Sequence, residues 1–154
     1  MVTSLREDIK QKKPFTSLEQ EAYLNVLRTS AALLDGVERL LKPYGLTAAQ
    51  YNVLRILRGA EPAGLCRNEV RDRMLTRMPD MTRLLDRMEE AGLVARIRSD
   101  HDRRLVATHI TSAGRKLVDS VTRSINELHQ QQLGHLTKKQ LGTLIELLEL
   151  VRQG

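Results

Sequence analysis

Apolar residues recur every three or four positions along most of this chain, the spacing that places them on one face of an α-helix. The first such stretch follows the capping-box sequence Ser17–Gln20 and continues to the helix breaker Lys42–Gly45. The spacing predicts a helix of about 25 residues. This length exceeds what a small domain needs to cover its core, and both flanks are apolar, so we expect the helix to pack against a partner helix.

The middle of the chain has the pattern of a helix-turn-helix. Thr47 caps a second predicted helix, Ala48 to about Gly59, and a short segment from Arg67 to Met74 is followed by a turn. The third predicted helix has Pro79 in its first turn, where proline is tolerated, and ends at Gly92. Its predicted inward face consists of Met81, Leu84, Leu85 and Met88.

The pattern changes from a helical period to alternation after this helix. Leu93–Arg98 and Arg104–Ile110 alternate apolar and polar residues, and the charged stretch Ser99–Arg103 lies between them. We expect a β-hairpin with an exposed tip, which is a wing when it follows a recognition-type helix. Thr111 then caps a further predicted helix and Thr137 caps the last one, and we expect a monomer to bury both only in part.

Composition supports a mainly α fold with this small β-hairpin wing, a winged helix-turn-helix. Only 3% of the residues are aromatic and none is Trp, so the apolar mass is aliphatic, which favours helices and argues against an all-β core. With 154 residues, of which 41% are hydrophobic, the chain can bury one core of ordinary size. We therefore expect one domain, or one domain with extensions.

Several classes of protein are disfavoured by what the sequence lacks. No stretch approaches roughly 18 uncharged apolar residues, and Met1–Phe15 is too charged for a signal peptide, so we expect a soluble cytoplasmic protein. One Cys cannot form an internal disulfide and four scattered His lack metal-ligand spacing, so we expect no metal or other cofactor. No nucleophile elbow, phosphate-binding glycine loop or zinc-protease motif is present, which argues against an enzyme.

The charge of the chain points to a polyanionic partner. The net charge is +6, and twelve Arg but no Lys lie between Arg55 and Arg104, whereas all seven Lys lie outside that stretch. Arg forms forked hydrogen bonds with phosphates and with guanine, so its concentration indicates where a nucleic acid would bind. A GC-rich genome that favours Arg codons is the alternative explanation.

Two polar clusters are candidates for contact with DNA, one on the outward face of the third helix and one at the tip of the wing. Thr82 can reach a phosphate or a thymine methyl group, and Asp80 can orient an Arg or accept from cytosine. An Arg on the wing suits the narrow minor groove next to a helix that lies in the major groove. For the residues on the helix, the alternative is that they are ordinary solvated charges. The candidates are Arg77, Asp80, Thr82, Arg83, Asp86 and Arg87 on the helix and His101, Asp102, Arg103 and Arg104 on the wing.

Three segments carry a resemblance to a known family: Leu84–Val94, Asp102–Val106 and Ile110–Gly114. In this order they resemble the multiple-antibiotic-resistance regulator (MarR) family of bacterial winged helix-turn-helix repressors, and the resemblance covers nearly the whole chain. It implies an obligate homodimer that binds a pseudo-palindromic operator in double-stranded DNA. It also implies that Asp102 steadies the wing while Arg104 approaches DNA, and that Thr82 and Arg83 are the recognition-helix pair.

The resemblance also implies how the chain is organised. Residues 1–16 are a leader, and residues 17–154 form one domain. Within that domain, residues 45–112 are the winged helix-turn-helix, and residues 17–44 and 113–154 are the dimerisation helices.

Members of the family bind aromatic or phenolic anions between the dimer helices and the winged part. Such a ligand releases the operator by changing the distance between the two recognition helices. By analogy, Arg39, Tyr44, Tyr51 and His109 would contribute to a ligand site in this chain. Plain packing or surface positions are the alternative for each of these four residues.

Two residues depart from the family's pattern. His101 stands where members often have Arg, which leaves the minor-groove residue open among Arg103, Arg104 and His101. The only thiol, Cys66, precedes the short helix, whereas peroxide-sensing members have a Cys near the start of the first helix; we expect an inert structural Cys, with a redox switch as the alternative. A helical dimerisation adaptor is the alternative function, and it leaves the Arg-rich wing tip unexplained.

Overall fold

A computed structural model describes residues 3–154, so the first two residues of the expected leader lie outside the described part. The chain divides into two compact units, one that ends at Gly36 and one that begins at Val37. Within the described residues there are seven α-helices, one short 3-10 helix and three strands. The mainly helical fold with a small wing, predicted from the apolar pattern, is confirmed.

The first unit begins with helix α1, Leu5–Asp8, which the apolar pattern does not predict. The Ser4 hydroxyl accepts a hydrogen bond from the Glu7 N–H, and the Glu7 carboxylate accepts one from the Ser4 N–H at 2.9 Å. Arg28 Nε lies 2.9 Å from Asp8 Oδ2 and ties α1 to the helix that follows. A helix of four residues has no periodicity, so only its capping box marks it in the sequence.

Helix α2, Leu18–Leu41, is the expected first long helix, and its last residues belong to the second unit. Ser17 Oγ accepts a hydrogen bond from the Gln20 N–H at 3.1 Å, as the capping-box sequence predicts. The Gln20 side chain accepts from the Thr16 N–H at 2.7 Å instead of from Ser17. The return hydrogen bond of the expected capping box, to the Gln20 side chain, therefore comes from Thr16, one residue before the expected donor Ser17.

The second unit contains the expected helix-turn-helix. Its elements are helix α3 (Ala48–Gly59), strand β1 (Leu65–Cys66), helix α4 (Arg67–Asp72) and helix α5 (Met81–Glu90). The Thr47 hydroxyl accepts from the Gln50 N–H at 3.1 Å and caps α3 as predicted. The Asn52 side chain accepts from the Leu75 N–H at 2.8 Å, which ties the turn between α4 and α5 to α3.

The wing contains one more strand than the alternating pattern predicts. Strands β2, Val94–Arg98, and β3, Val106–Ile110, form the expected antiparallel hairpin, in which Val94 is opposite Ile110. Strand β1 also pairs antiparallel with β3, so the strand order is β1-β3-β2. A strand of two residues is too short for alternation to be visible in a sequence, which is why β1 is not predicted.

The two helices that follow the wing are α6 (Ser112–Leu133) and α7 (Lys138–Val151). The side chains of Thr111 and Thr137 cap them as predicted. Helix α6 is buried only in part, as expected: Val118, Val121 and Ile125 are at most 2% exposed on the face that packs inward, where the helix contacts α3. Helix α7 has no buried residue and exposes the large apolar side chains Leu144, Ile145, Leu147, Leu150 and Val151.

The core of the second unit is aliphatic, as the composition predicts. Helix α3 contributes Val53, Leu54 and Leu57, which are at most 1% exposed. The other deeply buried members are Leu41 at the end of α2, Val70, Leu85, Met88, Val94, Val118, Val121 and Ile125. Each α-helix and strand of the unit from α2 to α6 thus contributes at least one apolar side chain to this core, including Leu65 from β1 and Ile110 from β3.

The first turn of α6 lies directly against the backbone at the base of the wing. The Thr111 N–H donates to the Leu93 carbonyl at 3.1 Å, and the Thr111 hydroxyl donates to the Gly92 carbonyl at 2.6 Å. A Cβ atom at Gly114 would overlap the Leu93 carbonyl oxygen, so only glycine fits there without a shift of the backbone. These contacts fix the position at which the wing leaves the helical body.

A network of ion pairs on the surface joins the end of α3 to α6. Arg58 Nη1 lies 2.6 Å from Glu61 Oε2, and Arg58 Nη2 lies 3.2 Å from Asp119 Oδ2. Glu61 also pairs with Arg115. Hydrogen bonds from Arg115 and Arg58 lower the pKa of Glu61 from its ordinary 4.5 to about 2.

Gly114→Ala tests the close contact at the base of the wing. Because the added methyl group must displace the Leu93 carbonyl, we expect the substitution to lower the free energy of unfolding by about 1–3 kcal/mol, measured by urea titration. The matched control is Gly59→Ala at the exposed end of α3, where a Cβ has no atom within 4 Å. The control should be neutral or slightly stabilising, and equal effects of the two substitutions would contradict the account.

Glu61→Gln tests the ion-pair network through its dependence on pH. Because the folded-state pKa is lowered, Glu61 stabilises the fold fully above pH 4.5, and this contribution is lost as the pH falls towards about 2. The variant should therefore lose less unfolding free energy than the wild type over that range, measured by urea titration at each pH. Glu90→Gln, an exposed carboxylate on α5 outside the network, is the control. A wild-type pH profile for Glu61→Gln would refute this role.

Candidate nucleic-acid interface

Helix α5, the candidate recognition helix, begins at Met81 because Asp80 caps it. Asp80 Oδ1 accepts a hydrogen bond from the Arg83 N–H at 3.0 Å. Pro79 therefore precedes the cap and does not lie in the first helical turn, which corrects the expectation from the sequence. The contact that the structure gives the Asp80 carboxylate is structural, and it fixes where the helix starts.

One face of α5 is buried and the other is exposed, as the apolar spacing predicts. The buried residues are Met81, Leu85 and Met88. The exposed face carries Thr82, Arg83 and Arg87 at adjoining positions. Arg77 is also exposed, but it lies in the turn before α5, although the pattern places it on the helix. The structure thus brings three of the candidate polar residues together on the helix itself.

Arg96 on β2 connects the wing to α5. Its Nη2 atom lies 2.6 Å from Asp86 Oδ1 and 2.9 Å from Glu89 Oε1, and its backbone N–H donates to Glu89 Oε2 at 2.9 Å. The hydrogen bonds from Arg96 lower the pKa of Glu89, and those from Glu89 and Asp86 raise the pKa of Arg96. Asp86, a candidate for the outward face, is therefore directed towards the wing.

Arg96 is not among the residues predicted from the sequence, although an acidic pair on α5 indicates that a cationic partner lies nearby. Asp86 and Glu89 are three residues apart, the spacing that places two side chains on one face of a helix. An Arg on the strand that follows such a pair is a candidate partner. To identify which Arg of β2 faces the pair, one must know how β2 is positioned relative to α5. That alignment depends on the tertiary structure.

The tip of the wing is held by hydrogen bonds within the residues from Ser99 to Leu105. Asp102 Oδ1 accepts from the Arg104 N–H at 2.9 Å, and the Leu105 N–H donates to the Asp102 carbonyl at 2.9 Å. Ser99 Oγ accepts from the His101 N–H at 3.2 Å. Asp102 thus bonds within the turn, and its role in steadying the wing for DNA binding stays a prediction. The side chains of His101, Arg103 and Arg104 are exposed around this turn.

A cleft of about 410 Å³ lies between the wing and the helix-turn-helix. Arg67 at the start of α4 donates from Nη1 to Thr82 Oγ1 at 2.8 Å across this cleft. Arg104 from the wing and Arg96 from β2 also line it. Arg67 is a residue that the sequence analysis missed, because nothing in the sequence shows that the start of α4 lies beside the start of α5.

The four residues proposed for an effector occupy different surroundings. Tyr51 is 6% exposed, and its hydroxyl has no hydrogen-bond partner in the described part of the chain. Tyr44 in the 3-10 helix and Arg39 near the end of α2 are exposed. His109 lines clefts of about 200 and 520 Å³, and the described walls of these two clefts do not include the other three residues. A shared effector site therefore stays a prediction.

Cys66 is a free, half-buried thiol at the residue that caps α4. Its backbone N–H donates to Glu69 Oε2 at 2.8 Å. Among residues 3–154, no group of three or more His, Cys, Asp or Glu side chains is arranged to hold a metal ion. In that same part of the chain, none of the helices combines the length and the apolar character needed to cross a bilayer.

Comparisons with known proteins agree on one family. The model of the MarR family matches residues 44–105. The multiple antibiotic resistance protein MarR of Escherichia coli is 31% identical over 112 residues, which are 72% of this chain and 76% of that protein. The homoprotocatechuate degradative operon repressor of E. coli is 28% identical over 124 residues, which are 80% of this chain and 82% of that protein.

Solved structures give the same family. A MarR transcription factor from Planctomyces limnophilus is 41% identical, covers 89% of this chain and 99% of its own, and superposes with a TM-score of 0.67. A mutant of E. coli MarR in complex with operator DNA is 25% identical, covers 97% of this chain and 99% of its own, and has a TM-score of 0.75. The named relatives are transcriptional regulators.

Arg96→Ala tests the connection between the wing and α5. The substitution removes the guanidinium group that bonds Asp86 and Glu89, while the backbone N–H of residue 96 still donates to Glu89, so we expect the free energy of unfolding to fall by about 0.5–1 kcal/mol in urea titrations. Amide hydrogen exchange in β2 should rise more than exchange in α3, because the loss is local to the wing. Arg98→Ala, at an exposed position at the end of the same strand, is the control. Equal behaviour of the two variants would show that Arg96 does not hold the wing.

Proposed function

The chain belongs to the MarR family of DNA-binding transcriptional regulators, and on that premise we propose that it acts as a homodimeric repressor that a small ligand releases from its operator. The operator complex of E. coli MarR and the name of the homoprotocatechuate operon repressor support this proposal. The observation that carries it is the arrangement of two cationic surfaces, on α5 and on the wing, joined through Arg96.

Helix α5 is the element proposed to enter the major groove. The groove is about 12 Å wide and admits one helix, and Thr82, Arg83 and Arg87 form the exposed face that would meet it. Arg83 and Arg87 offer forked donors for guanine or for phosphate. Asp80 contributes by capping the helix at the end that carries Thr82 and Arg83.

The wing is proposed to reach the adjacent minor groove. Its tip presents His101, Arg103 and Arg104, and a narrow minor groove has the negative potential that attracts Arg. The hydrogen bond from the Arg104 N–H to Asp102 orders the backbone from which these side chains project. We propose that Arg77, which is exposed in the turn before α5, contacts the flanking phosphate backbone.

A homodimer is proposed because two helices present apolar surface that the described chain leaves uncovered. Helix α7 exposes Leu150 and Val151 by 62% and 71%, and α2 exposes Tyr23 and Leu27 by 63% and 49%. Burial of such surface stabilises an assembly of two copies. Two copies would present two α5 helices about 34–36 Å apart, the repeat of one DNA turn. This proposal assigns residues 17–44 and 113–154 to dimerisation, residues 45–112 to DNA binding and residues 1–16 to a leader.

The ligand is proposed to be a small aromatic or phenolic anion. The buried Tyr51 hydroxyl, which has no partner in the described residues, supports a role for that side chain, because a buried hydroxyl is ordinarily hydrogen-bonded. Arg39, Tyr44 and His109 stay candidates for the same site. A ligand weakens operator binding only if it prefers one spacing of the recognition helices over the other.

A titration by fluorescence anisotropy tests the proposed function. The purified protein is added to a labelled duplex from the DNA upstream of its own gene and to a mixed-sequence duplex of equal length, each at two salt concentrations. A regulator should prefer the upstream duplex, and log affinity should fall with log salt by about 0.9 for each phosphate contact. A folded dimer that binds neither duplex at low salt would be the helical dimerisation adaptor instead.

Arg83→Ala and Arg104→Ala separate the roles of α5 and the wing. We expect Arg83→Ala to weaken binding of the upstream duplex by about 1–3 kcal/mol and to relax base preference. Arg104→Ala should weaken both duplexes by a similar amount, because a wing contact is less dependent on sequence. Arg123→Ala on α6, with a side chain that is 90% exposed, is the control and should bind as wild type. Unchanged affinity in both test variants would exclude this mode of docking.

A further inference from the structure

Three arginines from three separate elements line the cleft between the wing and the helix-turn-helix. They belong to Arg67 on α4, Arg96 on β2 and Arg104 on the wing. The charge of Arg96 is matched by Asp86 and Glu89. Within residues 3–154, neither Arg67 nor Arg104 forms an ion pair with a carboxylate. The lining of the cleft therefore includes two arginines, Arg67 and Arg104, whose charges no carboxylate of the described residues compensates.

The Thr82 hydroxyl is held in this cleft with its donor unused. Oγ1 accepts a hydrogen bond from Arg67 Nη1 at 2.8 Å, and a hydroxyl can donate one hydrogen bond while it accepts another. Thr122 and Thr143, also on helices, donate theirs to the carbonyl four residues earlier. Thr82 makes no such bond within the described residues, so its hydrogen is available to an acceptor in the cleft.

We propose that Arg67, Thr82 and Arg104 form a phosphate clamp that binds one backbone phosphate of the operator. This inference rests on the proposed function, in which α5 occupies a major groove and the wing occupies the neighbouring minor groove. One sugar-phosphate strand separates two neighbouring grooves, and it must cross the cleft that separates α5 from the wing. Two cations and a hydroxyl donor are the groups that a phosphate oxygen accepts from.

The phosphate clamp adds Arg67 to the DNA-binding residues and gives Thr82 one role. It assigns Arg104 to the strand between the two grooves and leaves His101 and Arg103 of the wing tip for the minor groove. The sequence leaves Thr82 open as a contact to phosphate or to a thymine methyl group. A hydrogen bond from Arg67 holds Oγ1 in the cleft, and the hydroxyl then donates to the backbone strand and not to a base edge. Thr82 thus positions the protein on any duplex, whereas base preference comes from other residues of α5.

The test measures the affinity of Arg67→Ala for the upstream duplex and the mixed-sequence duplex at a series of salt concentrations. Loss of one phosphate contact should weaken both duplexes by a similar factor, about five- to tenfold, and should reduce the salt slope by about 0.9. Arg67→Lys should recover part of the affinity, since a point charge replaces the forked donor. Thr82→Val should weaken both duplexes, and Thr82→Ser, which retains the hydroxyl, should not.

Arg71→Ala is the matched control, since it removes an exposed Arg one turn later on α4 that pairs with Asp72. The control should leave the salt slope at its wild-type value. A wild-type slope for Arg67→Ala would overturn the clamp, and so would a loss confined to the upstream duplex, which would mark a base contact. Both results require that the wild type binds DNA, so failure of the wild type to bind would refute the proposed function and is distinguishable from failure of the clamp.

Discussion

The hydrogen-bonded ion pairs of Arg96 determine the geometry on which DNA binding by this chain depends. A winged helix-turn-helix contacts two neighbouring grooves with two different elements, so the angle between them must match the duplex. Here one guanidinium group bonds Asp86 and Glu89 of α5, while the backbone of the same residue belongs to β2. Charged hydrogen bonds of this kind are stronger than neutral ones, and the Arg96 side chain that makes them is half-buried.

A second constraint holds the base of the wing. Thr111 both caps α6 and bonds the carbonyls of Gly92 and Leu93, and the absence of a side chain at Gly114 lets α6 approach that backbone. The wing is therefore fixed at its base by α6 and along its length by α5. Its tip is ordered independently by Asp102. The exposed side chains of Arg83, Arg103 and Arg104 are not used in these contacts and are available to a polyanion.

The parts of the fold that could be predicted from the sequence are those that local chemistry determines. Thr47, Thr111 and Thr137 mark helix starts because a side-chain oxygen satisfies backbone donors there, and all three caps are present. The wing strands were predictable from alternation. Helix α1 and strand β1 are too short to show a period. The sequence predicts Pro79 in the first turn of α5, but the helix starts after Asp80, because proline suits the residues just before a helix as well as its first turn.

Residues of the candidate site differ in the same way. Thr82 and Arg83 were predictable because the helical period determines which side chains face outward, and Arg104 because the charged stretch between two alternating segments predicts an exposed tip. Arg96 and Arg67 were not, because their roles depend on which elements lie beside each other, and that is a property of the tertiary structure. Tyr51 is a related case, since an amphipathic pattern places its ring in the core but says nothing about a partner for its hydroxyl.

In the proposed complex, α5 and the wing of two copies dock as fixed units on neighbouring grooves of one duplex. Hydroxyl-radical footprinting of the upstream DNA reports which sugars each element covers. We expect two equivalent protected regions related by symmetry, with centres about one helical turn, 10–10.5 base pairs, or a multiple of a turn apart. Protection of a single region, or protection with no relation to the helical repeat, would contradict it.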